Sequence, residues 1–536
     1  MTMDNWKKEV IYQIYPRSYA SASGKAIGDI AGINSKLGYI QELGIERIWL
    51  SPFFKSPMKD YGYDVADYVK VDEMFGTNED LFKLVKDSRS KGMNLIIDQV
   101  YNHTSDEHEW FINSAAGGDK KDWYVWADAK EDGSPPNNWL SIFGGSAWQW
   151  NSQRQQYYLH QFLKEQPDLN FNNEEVINAI LDVAEYWLSN GVNGFRLDTA
   201  HCYTQDKDLR DNPPLKDARF FGENSVNPYF RQNHLYDVDY KRNVPFFEKL
   251  RKITDKYEDT FVVGEVGGNE QLDSLCRYTQ KGNRLHSVYI FCFLSEFTTD
   301  DLYEVFEYLD ENLEDGYPCW ALSNHDVMRA ASRGQAPQNL QDDYNRCMMT
   351  LLLCMRGVPC IYQGEELGLP EVDISFDELQ DPYGKEFWPE YKGRDGCRTP
   401  MPWKSDIEYG GFSTEKPWLP VPAEHKQLAV DLQEKDPTSM LWFTRGILQW
   451  RKQQSAILDG DMQLVKTEAS NVFAFIRQAA EQRIFFAFNY SAKEISIELP
   501  QAVGEQIVVN DFFGKSSLSG NKLSMPPYGV FMSAAK

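Results

Sequence analysis

The sequence predicts an α/β protein built on a (β/α)8 TIM barrel, with a subdomain inserted after strand three and a C-terminal antiparallel β-domain. Three observations predict it. Short β-branched and aromatic runs alternate with amphipathic stretches between residues 10 and 362, which implies parallel pairing through crossover helices. Polar and charged residues gather at the ends of four of those runs, where a barrel carries its chemistry. The alternation is interrupted after the third run, and past residue 455 it gives way to short alternating strands.

Val10–Pro16 (VIYQIYP) is the first strand, stopped by proline. A small polar loop, Ser21–Asp29, leads to a helix with apolar spacing over Ile30–Leu43. Ile45–Leu50 is the second strand, halted at Ser51-Pro52. Thr77 caps a helix through Lys91, and Asn94–Val100 is the third strand. From Thr104 to Asn170 the rhythm is lost, and six of the fifteen tryptophans fall there, enough to build a small core for this insert alone. The rhythm resumes with a helix over Glu174–Asn190 and strand four, Asn193–Asp198. A long Asn/Pro/Asp-rich loop (His201–Val238), of a length kept for function, and a helix (Val244–Tyr257) follow. The remaining strands are Thr260–Glu265, Ser287–Cys292, Pro318–Ser323 and Val358–Tyr362. A second insertion, about 365–426, precedes a last amphipathic helix over Met440–Lys452. Strands such as Val472–Ile476 and Ile484–Asn489 then form the tail. The expected domains are a barrel over 1–103 and 171–454, an inserted subdomain over 104–170, and a C-terminal β-sandwich over 455–536.

A chain of 536 residues exceeds one ordinary core. Its net charge of −25 argues against nucleic acid, since neutralising phosphates needs clustered Lys and Arg. The eight cysteines show no Cys-x-x-Cys spacing and read as reduced, buried thiols. Neither a secretory h-region nor an apolar run of membrane-spanning length appears, so a cytoplasmic location is expected, with no membrane partner.

At the centre stands Gly194-Phe195-Arg196-Leu197-Asp198. Arg196 and Asp198 are two apart, so on a strand their side chains share a face, and the arginine should keep the carboxylate ionised. Taken alone, such a pair is a structural ion pair. Its company makes it a site: Asp98 to His103 after strand three, Glu265 ending strand five, and His325 and Asp326 after strand seven. Walker, dinucleotide-binding and Gly-x-Ser-x-Gly motifs are missing from the sequence. Carboxylates, two histidines, an arginine and aromatic faces on which sugar rings can stack suit glycoside chemistry. Glu265 ends the apolar run Phe261-Val-Val-Gly, where desolvation would raise its pKa and suit an acid; charged Asp198 suits a nucleophile. Asp326 would hold sugar hydroxyls, and His103 and His325 would donate to hydroxyls whose bonds strengthen in the transition state.

The motifs resemble those of the α-amylase superfamily, glycoside hydrolase family 13, in its oligo-1,6-glucosidase and α-glucosidase branch. They are Asp98-Gln-Val-Tyr-Asn-His103, Gly194-Phe-Arg-Leu-Asp198, Val263-Gly-Glu265 and Ser323-Asn-His-Asp326. Tyr61-Gly-Tyr-Asp64, Gln166-Pro-Asp-Leu-Asn170, Gly357–Glu365 and Arg394-Asp-Gly-Cys-Arg-Thr-Pro-Met401 extend the match. The resemblance runs from residue 6 to the end. It implies a retaining mechanism with Asp198 as nucleophile, Glu265 as acid/base and Asp326 as transition-state stabiliser. It also implies Tyr63 stacked under the −1 glucose, and Asp60 with Arg394 closing the pocket for exo action. Thr199, after the nucleophile, implies α-1,4 preference, since relatives that prefer α-1,6 bonds tend to carry valine there. The implied function is an exo-acting α-glucosidase on short substrates such as maltose, with transfer of glucose to alcohols as a further reaction. A monomer and a dimer both stay open.

Two departures carry information. Many relatives have an Asp-x-Asn-x-Asp calcium loop; here Ser21, Ser23 and Lys25 stand at its positions, with Asp29 retained. No metal or other cofactor is expected, and Lys25 is expected to pair with Asp29 or nearby carbonyls. The charged motif that sucrose isomerases carry after strand seven is replaced by Ala331-Ser-Arg-Gly-Gln-Ala. The rival readings are an oligo-1,6-glucosidase, a sucrose-acting member, and a non-catalytic relative of transporter heavy chains; against the last, all three acidic residues are present.

Overall fold

In the computed structural model, residues 5–215, 226–238, 241–480, 482–499, 503–507 and 516–535 are described. Part of the long 201–238 loop lies outside them. Eight strands close a barrel: β1 (Ile11–Ile14), β2 (Arg47–Leu50), β3 (Asn94–Gln99), β4 (Gly194–Leu197), β5 (Phe261–Val266), β6 (Ser287–Ile290), β7 (Pro318–Ala321) and β8 (Val358–Tyr362). Each pairs in parallel with the strand next in sequence, and β8 returns to β1. All eight are buried on both faces, which is why they read as continuous apolar runs rather than as alternating ones.

The crossover helices begin where the sequence offers caps. Thr77 and Thr298 form capping boxes with Asp80 and Asp301, opening Asn78–Ser90 and Thr299–Asn312. Asn173 caps Glu174–Ser189, whose apolar stripe faces the barrel. No helix among the described residues is long and apolar enough to cross a membrane.

The ends of the barrel strands differ from the sequence expectation by at most two residues, and those of β8 not at all. β1 stops at Ile14 because a short helix starts at Pro16, and β6 stops at Ile290 rather than at Cys292. β4 stops at Leu197, so Asp198 stands just beyond the ladder: Thr199 takes φ +38° and turns the chain away. The inner barrel is filled by Ile11, Trp49, Ile96, Val263, Tyr289 and Cys360, among others. At the N-terminal mouth Trp6 packs on Phe261 at 5.3 Å, and Arg47 meets Glu9 at 2.6 Å.

Within 104–170, three short antiparallel strands (Trp126–Ala127, Trp148–Asn151, Gln156–Leu159) form a sheet. Trp139 and Trp148 are buried against Ala127, Ala147 and Leu159, so these two serve the insert's own core rather than a sugar platform. The tail carries a five-stranded and a three-stranded antiparallel sheet. Arg477 ties it to the barrel by donating to the Cys354 carbonyl, and also donates to the Ile457 and Gly460 carbonyls within the tail.

Gly194 starts β4 at φ +121°, and a Cβ there would overlap the Phe261 carbonyl of β5. Gly194→Ala is therefore expected to cost at least about 2 kcal/mol, through strain and the forced separation of two barrel strands. Thermal or urea unfolding checks this; an unchanged midpoint would contradict the close β4–β5 approach.

Candidate active site

Asp98 lies one residue before the end of β3, Arg196 lies on β4, Asp198 follows that strand, and Glu265 lies on β5. Register places Asp98 beside Arg196 and Arg196 beside Val263, so these side chains converge on the C-terminal mouth. Arg196 Nη1 donates to Asp98 Oδ1 at 2.8 Å and to Asp198 Oδ1 at 2.6 Å, and Nη2 pairs with Glu265 Oε1. The guanidinium also lies over the Trp49 ring at 5.1 Å. Trp49 Nε1–H and the Tyr63 hydroxyl donate to Asp98 Oδ2 at 3.2 and 3.3 Å.

The sequence paired Arg196 with Asp198 alone; in the structure one guanidinium faces three buried carboxylates. Arg196 therefore does not by itself secure Asp198 as an anion. Burial raises Asp198, with Asp98 and Asp326 pushing the same way against Arg196. Glu265 is raised furthest of the three, to about 8, by burial and by the charges of Asp198 and Asp326. A proton held on Glu265 would remove one like charge from beside Asp198. The Thr199 N–H donates to Glu265 Oε2 at 3.0 Å, and the Thr199 hydroxyl lies 3.4 Å from Asp198 Oδ2. Thr199 thus bridges the two carboxyl groups.

Asp326 behaves oppositely. Burial alone would raise it, but His325, Arg398 and Arg394 hold it below the usual carboxylate range. Arg398 Nη2 donates to Asp326 Oδ1 at 2.7 Å, Arg394 Nη1 reaches the same oxygen at 3.3 Å, and His325 Nε2 lies 3.1 Å from Oδ2. Burial lowers His325 to about 3, so its imidazole is neutral; Gln13 Nε2 meets its Nδ1 at 2.7 Å and the Tyr63 hydroxyl meets its Nε2. The Tyr63 and His325 rings lie stacked, 5.5 Å apart.

Asp60 meets Arg394 Nη2 at 2.8 Å through Oδ1, and Gln166 Nε2 donates to its Oδ2 at 3.2 Å. His103 is buried, with Nε2 3.0 Å from the Tyr63 carbonyl and 3.2 Å from Gln166 Nε2. In this arrangement its ring N–H holds the Tyr63 backbone. The wall over these groups comes from the two insertions. Phe143 packs on Tyr383 at 5.2 Å and lies under the Arg394 guanidinium at 5.3 Å, and Phe162 packs on His103 at 5.1 Å. Asn227 Nδ2 joins the insertions by donating to the Ile142 carbonyl and the Tyr383 hydroxyl.

The structure thus gathers all ten sequence-predicted residues: Asp198, Glu265 and Asp326 with Asp60, Tyr63, His103, Arg196, Thr199, His325 and Arg394. Sequence reasoning assigned no role to Arg398, Asp381, Phe143 or Phe162. Arg398 stood inside a quoted motif and could have been found by its spacing from Arg394; a lone phenylalanine in a loop gives no such signal.

The Ser21–Asp29 loop does not fit a hard cation. Asp29 Oδ1 accepts from the N–H groups of Ala22 and Gly32, and Oδ2 from that of Ser23. Its lone pairs serve backbone donors and the start of helix Ile30–Ser35. Lys25 is exposed and makes no ion pair with Asp29, contrary to the expectation, because three backbone donors already satisfy that carboxylate.

The family pattern "Alpha amylase, catalytic domain" matches residues 13–460, and "Maltogenic Amylase, C-terminal domain" matches 462–532. The chain is 45% identical over 535 residues to a Rhizobium meliloti (strain 1021) protein named "Probable alpha-glucosidase", covering 98% of this chain and 96% of that one. It is 33% identical over 532 residues to the oligo-1,6-glucosidase of Heyndrickxia coagulans, covering 92% and 94%. The crystal structure of an α-glucosyl transfer enzyme, XgtA, superposes with a TM-score of 0.97 at 44% identity, covering 100% of both chains. The chain belongs to the α-amylase family and is a glycoside hydrolase of the α-glucosidase and oligo-1,6-glucosidase type.

Proposed function

We propose that this member of the α-amylase family is an exo-acting, retaining α-glucosidase that removes terminal α-1,4-linked glucose from short substrates such as maltose. The observation that carries the exo reading is the Asp60–Arg394 pair, with Phe143 packed on both the Arg394 guanidinium and Tyr383 and with Phe162 beside it. In this reading these groups wall off the pocket, so the glucose held there is terminal.

In this reading Asp198 attacks the anomeric carbon. Its Oδ1 is held by Arg196, whereas among the described residues Oδ2 has only the long Thr199 hydroxyl contact and is the oxygen that forms the bond. Glu265 gives its proton to the glycosidic oxygen as that bond breaks, and a covalent glycosyl-enzyme results. Glu265, now a carboxylate, takes a proton from water, which displaces Asp198 with net retention. An alcohol taking the place of that water yields transfer, in line with the naming of XgtA as an α-glucosyl transfer enzyme. Asp326, fixed by Arg398 and His325, binds hydroxyls of the −1 sugar, and Tyr63 offers its ring face. The eight buried free thiols accord with a reducing, cytoplasmic setting. The second reading, an oligo-1,6-glucosidase, is favoured by Gln166-Pro-Asp-Leu-Asn170 and by the Heyndrickxia relative.

Asp198→Asn should lower kcat by at least about 10⁴-fold. Glu265→Gln should cripple leaving groups that need protonation and spare activated aryl or fluoride donors. Glu265 works protonated and its folded value is about 8, so kcat/KM should fall as pH rises through about 8. In the Gln variant, assayed on activated donors, that alkaline limb should vanish; near-wild-type rates on maltose for both variants would overturn the assignment.

Linkage preference rests on Thr199. Valine has nearly the same shape but lacks the hydroxyl, which here faces Asp198 at the junction with the leaving sugar. Thr199→Val should shift the maltose-to-isomaltose ratio of kcat/KM towards isomaltose by about tenfold or more, from a lost group worth about 1–3 kcal/mol. An unchanged ratio would leave the α-1,4 reading unsupported.

We further propose that no calcium is bound at Ser21–Asp29. EDTA should leave both activity and Tm unchanged. A rise in Tm of several degrees with added calcium would contradict this, because specific binding stabilises the native state by linkage.

A further inference from the structure

We propose that Asp381 is a positioning residue for sugar binding: it orients the Arg394 guanidinium so that Asp60 and Asp326 are served from fixed edges of one cation. The proposal rests on the pocket-closure reading above and deepens it.

Arg394 has five N–H groups in a rigid fork. Nε–H lies 3.1 Å from both oxygens of Asp381, and one Nη2 hydrogen reaches Asp381 Oδ1 at 2.7 Å. The backbone N–H of Arg394 adds a further bond to Asp381 Oδ2 at 2.8 Å. The second Nη2 hydrogen serves Asp60 at 2.8 Å, and Nη1 serves Asp326 at 3.3 Å. That leaves one Nη1 hydrogen for a sugar hydroxyl. Asp381, not Asp60, is therefore the principal anchor of Arg394.

Asp381 is itself immobilised. It is fully buried, its N–H donates to Asp395 Oδ2 at 2.9 Å, and its carboxylate caps Tyr383 N–H at the start of Pro382–Glu386. Burial would raise its pKa, but Arg394 and Arg398 hold it below the ordinary value; burial raises Asp60 despite Arg394. Asp60 is thus the less firmly charged partner, able to exchange hydrogen bonds with a sugar hydroxyl while Asp381 keeps the cation in place. Without the Asp381 charge the guanidinium would collapse onto Asp60 and Asp326 and occupy the oxygens that the sugar needs.

The test is a double-mutant cycle on the full chain: unaltered, Asp381→Asn, Arg394→Ala, and both together. The readout is the competitive Ki of glucose against an aryl α-glucoside, on enzyme titrated for active sites. Asp381→Asn should raise Ki and the KM for maltose by about tenfold or more. The double variant should be no worse than Arg394→Ala alone. A purely structural Asp381 would lower Tm and the active fraction but leave Ki unchanged, which overturns the proposal, as does multiplication of the two effects in the double variant. If Arg394→Ala itself leaves Ki unchanged, the pocket-closure reading falls and this proposal with it. If Arg394→Ala raises Ki and Asp381→Asn does not, only the assignment of Asp381 falls. Should Asp381→Asn fail to fold, Asp381→Ser, which retains a helix cap, enters the same cycle with the same outcomes.

Discussion

The barrel mouth depends on one guanidinium. Arg196 is 1% exposed and joins carboxylates from three neighbouring strand ends, Asp98, Asp198 and Glu265. Burying any of these ions unpaired would cost on the order of several kcal/mol each. Strand order and electrostatics therefore lock together: only parallel β3–β4–β5 in the observed register brings the four side chains to one point. The Trp49 ring supplies a floor that keeps water from the cation and sharpens every interaction above it.

Where the barrel sets the chemistry, the insertions set the boundary of the pocket. Phe143 and Phe162 arrive from 104–170, and Tyr383, Arg394 and Arg398 from the insertion after β8. None lies on a barrel strand, and Asn227 holds the two insertions together from a third loop. The proposed pocket closure would thus be a property of long loops tied to each other, while Asp98, Asp198 and Glu265 stand on or beside rigid strands.

The fold class and the carboxyl groups that converge at the barrel mouth were legible because both leave local marks. A parallel strand buried on both faces is an unbroken apolar run, and a residue such as Glu265 at its end is a visible exception. Strand ends were less legible: Asp198 leaves the ladder because Thr199 turns at φ +38°, a conformation that threonine's own preferences give no hint of. The partners of Arg196 were only half legible. Adjacency names Asp198, but Asp98 and Glu265 are 98 and 69 residues away in number and meet it only through sheet register. Asp381 was hidden for the same reason, since its partner lies across a turn thirteen residues on. Lys25 erred in the other direction: a nearby opposite charge suggested a pair, but backbone donors had already taken the carboxylate.

Two charge centres stand at the barrel mouth, and their balance has a direction. Below, Arg196 faces Asp98, Asp198 and Glu265; at the rim, Arg394 and Arg398 face Asp60, Asp326 and Asp381. Six carboxyl groups thus share three guanidinium cations, so even with one carboxyl protonated the enclosure is net negative. Such a surplus is unfavourable in a resting protein, and the upward push on Asp198 and Glu265 is its local expression. It becomes favourable when positive charge develops on the sugar ring, as in an oxocarbenium-like transition state. The arginines limit the surplus to what the fold tolerates and fix the oxygens that carry it. In the proposed reaction, the same imbalance that raises Glu265 would also stabilise the cation that its proton helps to create.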